Sequence, residues 1–212
     1  MNVRSPPRFI TLEGGEGAGK STHVQRLSQA LASHGIDNSV TREPGGSQGA
    51  ESIRTLLVEG EPGRWGPLVE TLLMFAARAD HVAHTIRPAL NAGKWVICDR
   101  FTDSTFAYQG AGRGMGYDTI REIEHVSTGG FRPDFTLILD VPVDEAMNRI
   151  GSRRHAEDRF EKFDRTFHER LRSYFQELAQ REPQRCVLID TSAPPDDVAQ
   201  QIWSAVGARF KL

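Results

Sequence analysis

Residues 9–22 of the chain read Phe-Ile-Thr-Leu-Glu-Gly-Gly-Glu-Gly-Ala-Gly-Lys-Ser-Thr, and this stretch decides the fold. The first four residues are apolar or β-branched, which predicts a buried strand. Gly14 through Ser21 then match the pattern G-x-x-x-x-G-K-[ST] in full. Glycines let backbone N–H groups point at phosphate oxygens, and a following helix adds its positive N-terminal end. The stretch therefore predicts a phosphate-binding loop between a strand and a helix, in preference to a simple glycine turn.

Two residues of this loop have expected roles towards a nucleoside triphosphate. Lys20 is placed to reach the β- and γ-phosphates, and Ser21 offers a hydroxyl to Mg²⁺. A carboxylate at the end of a neighbouring strand is then needed to hold the metal, directly or through water. Asp99 closes one apolar run and is the preferred candidate, although Asp140 closes another and an ion pair between Asp99 and Arg100 is the structural alternative.

Further strands and helices follow outward from this stretch. Short buried-strand patterns occur at 39–41, 95–98, 135–139 and 186–189, with helical apolar spacing between them. The longest helical pattern runs from Leu68 to Leu90, and Pro88 is expected to kink or shorten it. This alternation predicts an α/β fold, a doubly wound parallel sheet of about five strands with helices on both faces. Residues 109–117 and 151–158 are glycine-rich or charged and are expected to be mobile loops.

Composition narrows the class of protein. A chain of 212 residues fits one domain, residues 1–212, and 38% hydrophobic with 25% charged residues is typical of a soluble protein. A net charge of −2 argues against a duplex nucleic-acid partner. No apolar run approaches the roughly 20 residues that span a bilayer, and the start lacks a signal-peptide pattern, so we expect no membrane association and a cytoplasmic location.

Three further segments resemble those of thymidylate kinases. Residues 41–46, Thr-Arg-Glu-Pro-Gly-Gly, look like the acceptor-side motif of that family, and residues 73–78, Leu-Met-Phe-Ala-Ala-Arg, like its thymine-contacting helix. Residues 99–105 with 107–110 resemble its signature segment, with Phe101 where Tyr or His is also usual. The resemblance covers nearly the whole chain. It implies a P-loop nucleoside monophosphate kinase fold, phosphorylation of dTMP by ATP with Mg²⁺ in dTTP biosynthesis, and a homodimer.

The resemblance also implies roles for individual residues. Arg42 and Arg100 would grip the dTMP phosphate, Phe75 would stack on thymine while Arg78 donates to a carbonyl, and Tyr108 would pack beneath the sugar. The full set expected to bind dTMP is Glu16, Arg42, Phe75, Arg78, Arg100, Ser104, Thr105, Tyr108 and Gln109. The set expected to bind ATP is Gly14, Gly15, Glu16, Gly17, Ala18, Gly19, Lys20, Ser21, Thr22, Arg149, Ser192 and Ala193. Within this set Arg149 would stack on adenine, and Ser192 and Ala193 would line the edge of that base.

Residues of about 150–160 resemble a kinase lid. The family has one version with an arginine in the phosphate-binding loop and another with arginines in the lid, and Glu16, Gly17 and Ala18 supply no such cation here. The lid version is therefore implied, with Arg153 as the arginine that acts in the transition state and Arg159 as the second candidate. The expected catalytic set is Lys20, Arg100, Arg153, Arg159 and Glu16.

The chemistry distinguishes this hypothesis from its alternatives. A phosphate acceptor is largely ionised at neutral pH and needs cations rather than a general base. Another nucleoside monophosphate kinase is the first alternative. A deoxynucleoside kinase is the second, since Glu13 or Glu16 offers the base that a hydroxyl acceptor requires. A nucleotide-dependent regulator without transfer activity is the third, although the chain lacks the Asn-Lys-x-Asp segment that reads guanine.

Overall fold

The computed structural model describes residues 6–151 and 159–212, and within these residues the strands form one parallel sheet of five. The strand order is β2-β3-β1-β4-β5, and every adjacent pair is parallel. This arrangement confirms the predicted sheet and places β1, which leads into the glycine-rich loop, at its centre. The strands are β1 (Phe9–Glu13), β2 (Asn38–Arg42), β3 (Trp95–Asp99), β4 (Phe135–Asp140) and β5 (Cys186–Asp190).

Helices connect the strands, as parallel neighbours require. The irregular ones are two π-helical segments, Val82–Ile86 and Phe106–Gly112, and a 3₁₀ turn at Arg159–Lys162. None of the helices within the described residues is long and apolar enough to cross a bilayer. The α-helices are α1 (Lys20–Ser33), α2 (Gln48–Val58), α3 (Pro67–His81), α4 (Arg87–Asn91), α5 (Thr102–Thr105), α6 (Tyr117–Thr128), α7 (Val143–Gly151), α8 (Arg165–Arg181) and α9 (Pro195–Phe210).

Apolar side chains fill both sides of the sheet. All five residues of β1 are buried, as the apolar run predicts. One core cluster joins the sheet to α1 and α9, where Leu27 and Ile202 are buried. A second joins it to α8 and the π-helical segment, where Phe106 and Phe167 are buried. Because successive side chains of a strand point to opposite faces, β1 contributes Ile10 to the first cluster and Phe9 to a third one.

The structure modifies two expectations about local structure. Residues 109–117 are not simply a loop, since Gln109–Gly112 complete the buried π-helical segment Phe106–Gly112 and Tyr117 begins α6. Pro88 does not shorten the helical pattern, since it lies in the first turn of α4, which continues directly from the π-helical segment Val82–Ile86 and ends at Asn91. The irregularity comes earlier, as the π-helical segment Val82–Ile86.

Candidate active site

The glycine-rich loop runs from the C-terminal end of β1 to the first residue of α1. Gly14 and Gly17 have φ angles of 135° and 73°, in the region that favours glycine. A Cβ on Gly14 would overlap the carbonyl oxygen of Leu139, and one on Gly17 would lie 2.5 Å from that of Ala146. Only glycine therefore permits this close path. Lys20 folds back across the loop and its Nζ donates to the carbonyl oxygens of Gly14 at 3.2 Å and Gly15 at 2.7 Å.

The charges around the loop shift one another's pKa values. Burial and the nearby Arg100 guanidinium lower the pKa of Lys20 to about 8, although Glu16, Asp99 and Glu13 act in the opposite sense. Burial alone would raise the pKa of Glu16, but the positive charges of Arg100 and Lys20 and a hydrogen bond from Tyr108 lower it to about 2. Glu16 is consequently an ionised carboxylate at neutral pH. Lys20 is a cation whose charge is easily lost.

Arg100 joins the loop to the segment that follows β3. Its Nη1 donates to Gly14 O at 2.9 Å, its Nη2 donates to Glu16 Oε1 at 2.7 Å, and its guanidinium lies 4.9 Å from the centre of the Tyr108 ring. The backbone of Arg100 is left-handed, with φ of 70°, which is costly for a residue with a side chain. Glu13 holds the following turn, because its carboxyl accepts from Phe101 N at 2.7 Å and Ser104 Oγ at 2.5 Å.

The structure separates the two candidate metal carboxylates. Asp99 lies beside the loop, and its Oδ2 accepts from Ser21 Oγ at 2.7 Å. Asp140 is bound instead by Arg172, with contacts of 2.8 and 2.9 Å, and by Gln176. Carboxylate and hydroxyl oxygens are the donors that suit Mg²⁺, so Ser21 with Asp99 fits the ion and Asp140 is already neutralised.

A cavity of about 490 Å³ opens beside the loop. Within the described parts of the chain, three buried polar atoms on its wall lack a hydrogen-bond partner: Arg78 Nη1, Thr105 Oγ1 and Gln109 Oε1. Arg78 is held by Glu43, at 2.7 Å from its Nε, and by the carbonyl of Phe101, so Nη1 is left for a ligand. Buried polar atoms normally find partners, and this wall therefore suits a small polar ring.

The phosphate-binding loop and the cavity together correspond to a family of known proteins. The family model for thymidylate kinase matches residues 12–202. The chain belongs to the thymidylate kinase family. It is 50% identical over 202 residues to a thymidylate kinase of Rhizorhabdus wittichii, covering 95% of this chain and 97% of the relative. It is 52% identical over 204 residues to one of Caulobacter vibrioides, covering 96% and 98%.

A solved structure agrees with this assignment. The crystal structure of thymidylate kinase from Ehrlichia chaffeensis matches with a TM-score of 0.73 and 32% sequence identity. The match covers 94% of this chain and 98% of that one. The thymidylate kinase fold is therefore shared over nearly the full length of both chains.

Several residues expected to bind dTMP do line the cavity. Among them Ser104 donates to Glu13, and Arg42 lies at the mouth, where its Nη2 is 3.2 Å from Glu51 Oε2 and its side chain is 56% exposed. Tyr108 donates to Glu16 at 2.8 Å. The predicted residues that line the cavity are Glu16, Arg42, Arg78, Arg100, Ser104, Thr105, Tyr108 and Gln109.

Phe75 corrects one expectation about the thymine contact. It is buried to 1% exposure, and its ring centre lies 4.7 Å from the Arg78 guanidinium carbon. Among the described residues, the cavity wall includes Met74 instead of Phe75. Phe75 and Arg78 are three residues apart and do share a face of α3. The Phe75 ring packs under the Arg78 guanidinium, however, and is not part of the described cavity wall. The base contact predicted for Phe75 therefore has no support, since Met74 and not Phe75 lines the cavity.

The residues expected near adenine also come together. Arg149 Nη2 donates to Thr191 O at 2.7 Å and to Glu145 Oε1 at 2.6 Å, and its Nη1 lies 3.4 Å from Gly17 O. It thus connects α7 with the phosphate-binding loop and with the turn after β5, where Ser192 and Ala193 follow. This position is compatible with the predicted adenine contact.

The structure describes only one of the two candidate lid arginines. Arg153 belongs to residues 152–158, which lie outside the described residues. Arg159 is fully buried and donates to Leu57 O at 2.8 Å, to Pro62 O at 3.1 Å and to the Glu70 carboxylate. These partners hold it among α2, α3 and their connection, so its predicted approach to the transferred group finds no support in this arrangement.

Sequence reasoning missed two acidic residues that shape the cavity. Glu43 holds both Arg78 and His81, whose Nδ1 is 2.9 Å from Glu43 Oε1. It lies inside the recognised segment 41–46, so a signal was present. Glu70 holds Gln109 from α3, and nothing in its local sequence indicates that contact.

Proposed function

We propose that the chain transfers the γ-phosphoryl group of ATP to the phosphate of dTMP, giving ADP and dTDP. Family membership supports the reaction. The observation that supports dTMP as the second substrate is a pair of groups on the cavity wall that lack hydrogen-bond partners among the described residues. They are the Arg78 Nη1 donor and the Gln109 Oε1 hydrogen-bond acceptor. A thymine offers a carbonyl to the first and an N–H to the second, whereas cytosine presents an amino group and a ring acceptor in the same places.

The charged residues supply what phosphoryl transfer needs. Two anionic phosphates must be brought together and held in line, and positive charge must stabilise the transition state. Arg42 and Arg100 would bind the acceptor phosphate, and Lys20 the donor phosphates. Mg²⁺, held by Ser21 and Asp99, would neutralise charge on the donor. Arg153 remains the prediction for a cation delivered by the lid.

The deoxynucleoside kinase alternative is weakened by the same geometry. A hydroxyl acceptor requires a free carboxylate base within hydrogen-bonding reach. Glu16 is bound by Arg100 and Tyr108, and its pKa of about 2 makes it a weak base. Burial and the nearby Asp103 raise the pKa of Glu13 to about 8, but both of its oxygens accept hydrogen bonds, from Phe101 N and Ser104 Oγ, and Glu13 is not among the described residues that line the cavity. Both candidate bases are therefore already committed to positioning the site.

A coupled assay of ADP release tests the proposal. The substrates are dTMP, dUMP, dCMP, dGMP and thymidine, each with ATP and Mg²⁺. We expect dTMP to give the highest kcat/KM and thymidine to give none. Lys20→Ala should lower kcat for dTMP more than tenfold, a loss above about 1.4 kcal/mol in transition-state stabilisation. Equal kcat/KM for dTMP and dCMP would remove the thymine assignment, and turnover of thymidine would favour the deoxynucleoside kinase.

We also propose a homodimer in the cytoplasm. The outer face of α3 supports the dimer. Leu68, Val69 and Leu72 lie together on this face of the helix and are 49%, 45% and 49% exposed. An apolar patch of this kind usually marks an interface. A second copy of the chain offers the same patch and would cover it by two-fold symmetry.

A further inference from the structure

Glu70 is a buried carboxylate of α3 that contacts a residue of the cavity wall, Gln109. It is 0% exposed and receives three donors. Gln109 Nε2 donates to its Oε1 at 2.8 Å, and Arg113 Nη1 donates to its Oε2 at 2.7 Å, where Arg159 Nη2 also donates. Burying such a charge is costly unless it is paired and hydrogen-bonded, and here both oxygens are satisfied.

These partners determine which way the Gln109 amide faces. A carboxylate accepts hydrogen bonds and donates none, and the two guanidinium groups fix Glu70 as an ion-paired carboxylate. The amide nitrogen of Gln109 must therefore point at Glu70. The amide oxygen is left on the other side, at the cavity wall, where it has no hydrogen-bond partner among the described residues.

We propose that Glu70 is a positioning residue that sets base selectivity through Gln109. It keeps Gln109 Oε1 as a hydrogen-bond acceptor on the wall of the cavity that Arg78 also lines. An amide turned by 180° would present NH₂ to the cavity instead of oxygen. A donor at Gln109 suits the ring nitrogen of cytosine and not the N–H of thymine. This inference rests on the proposed function, since it assigns the origin of the preference for dTMP.

The Arg113 and Arg159 ion pairs have a further consequence. Both guanidinium groups donate to Oε2, so Oε1 is left to accept from Gln109 Nε2. A carboxylate offers acceptors only, and the direction of the Gln109 hydrogen bond is therefore maintained. Arg159, predicted from the sequence to act on the phosphoryl group, thus serves base recognition in this arrangement.

Glu70→Gln tests the proposal with almost no change in volume. A glutamine at this position can donate to Gln109 Oε1, which frees the amide to turn. We expect the ratio of kcat/KM for dTMP to that for dCMP to fall at least about tenfold, because an unpaired or reversed polar contact discriminates strongly. The ratio of dTMP to dUMP should stay within about twofold, since these bases differ only in a methyl group that no amide contacts. Ratios between substrates do not depend on the amount of folded enzyme.

Two further variants make the test decisive. Glu124→Gln removes another buried carboxylate, which lies on α6 and is paired with Arg132 at 2.7 Å. This variant should leave both ratios unchanged. Glu70→Asp keeps a group that only accepts, so it should retain the dTMP to dCMP ratio within about threefold even if overall activity falls. If Glu70→Gln fails to fold, a tenfold loss of the ratio in Glu70→Asp still overturns the proposal.

The outcomes also separate this inference from the function beneath it. A parent enzyme that prefers dTMP, with Glu70→Gln folded and its dTMP to dCMP ratio unchanged, rejects the role of Glu70 alone. A parent enzyme without preference for dTMP rejects the proposed acceptor, and the role of Glu70 with it.

Discussion

Lys20 is the residue whose charge the surroundings control most directly. In the chain without nucleotide its pKa is lowered to about 8 by burial and by Arg100. Phosphate oxygens favour the charged form, so ATP binding should raise that pKa and take up a proton at higher pH. We therefore expect ATP affinity to hold below about pH 8 and to fall as pH rises above it.

Calorimetry can measure this linkage. Titration of ATP at about pH 8.5 in two buffers of different ionisation enthalpy should reveal proton uptake, since the terminal phosphate of ATP is already ionised there. Lys20→Arg is the matched control because arginine stays charged throughout the range, so its complex should take up no proton. Absence of uptake by the parent chain would contradict the assigned state of Lys20.

Among single residues, the sequence predicted those whose positions follow from a local motif. The loop, Lys20 and the Ser21–Asp99 contact follow from a motif and a strand end. The base contact expected of Phe75 finds no support because helical spacing gives a common face without fixing how that face is turned towards the cavity. Glu70 escaped prediction since its partner Gln109 is 39 residues away and the link depends on how two helical segments pack.

The π-helical segment Phe106–Gly112 depends on close packing against α8. A Cβ on Gly112 would overlap the Phe167 ring and lie 2.8 Å from Leu171 Cδ1. Gly112→Ala should therefore lower the free energy of unfolding by about 1–3 kcal/mol, as overpacking does. Because this segment carries Tyr108 and Gln109, KM for dTMP should rise as well.

A second glycine provides the control. Gly207 lies in α9, where an added Cβ meets nothing within 4 Å. Gly207→Ala should be neutral or stabilise the fold by up to about 1 kcal/mol, because alanine loses less backbone entropy in a helix. Urea denaturation measures the free energy of unfolding of both variants. Equal values would show that the π-helical segment accommodates the added methyl group of Gly112→Ala without loss of stability.

At the element scale, the strand patterns succeeded because a buried parallel strand needs a short continuous apolar run. The segment from Gln109 to Tyr117 failed for the opposite reason. Glycine in a sequence indicates either mobility or close approach, and only the presence of Phe167 and Leu171 opposite Gly112 decides between them. Contacts of that kind are tertiary and leave no local signal.

The assembly of the whole molecule can be tested on α3. We expect light scattering after gel filtration to give twice the chain mass of 23.6 kDa. Leu72→Glu should shift the protein to monomers, because a charge on each copy would be buried in the symmetric interface. Leu188→Glu, at a position of β5 that is 41% exposed, is the control and should remain dimeric. A Leu72→Glu variant that stays dimeric would place the interface elsewhere.

The strand order has a consequence for how the chain is made. β1 precedes the other four strands of the sheet, and its two neighbours begin only at Trp95 and Phe135. Until β3 has emerged from the ribosome, the strand that carries the phosphate-binding loop has no neighbour to pair with, and until β4 has emerged one of its edges stays unpaired. A nascent chain shorter than this therefore exposes an unpaired apolar strand, and its protection during synthesis falls to chaperones rather than to its own fold.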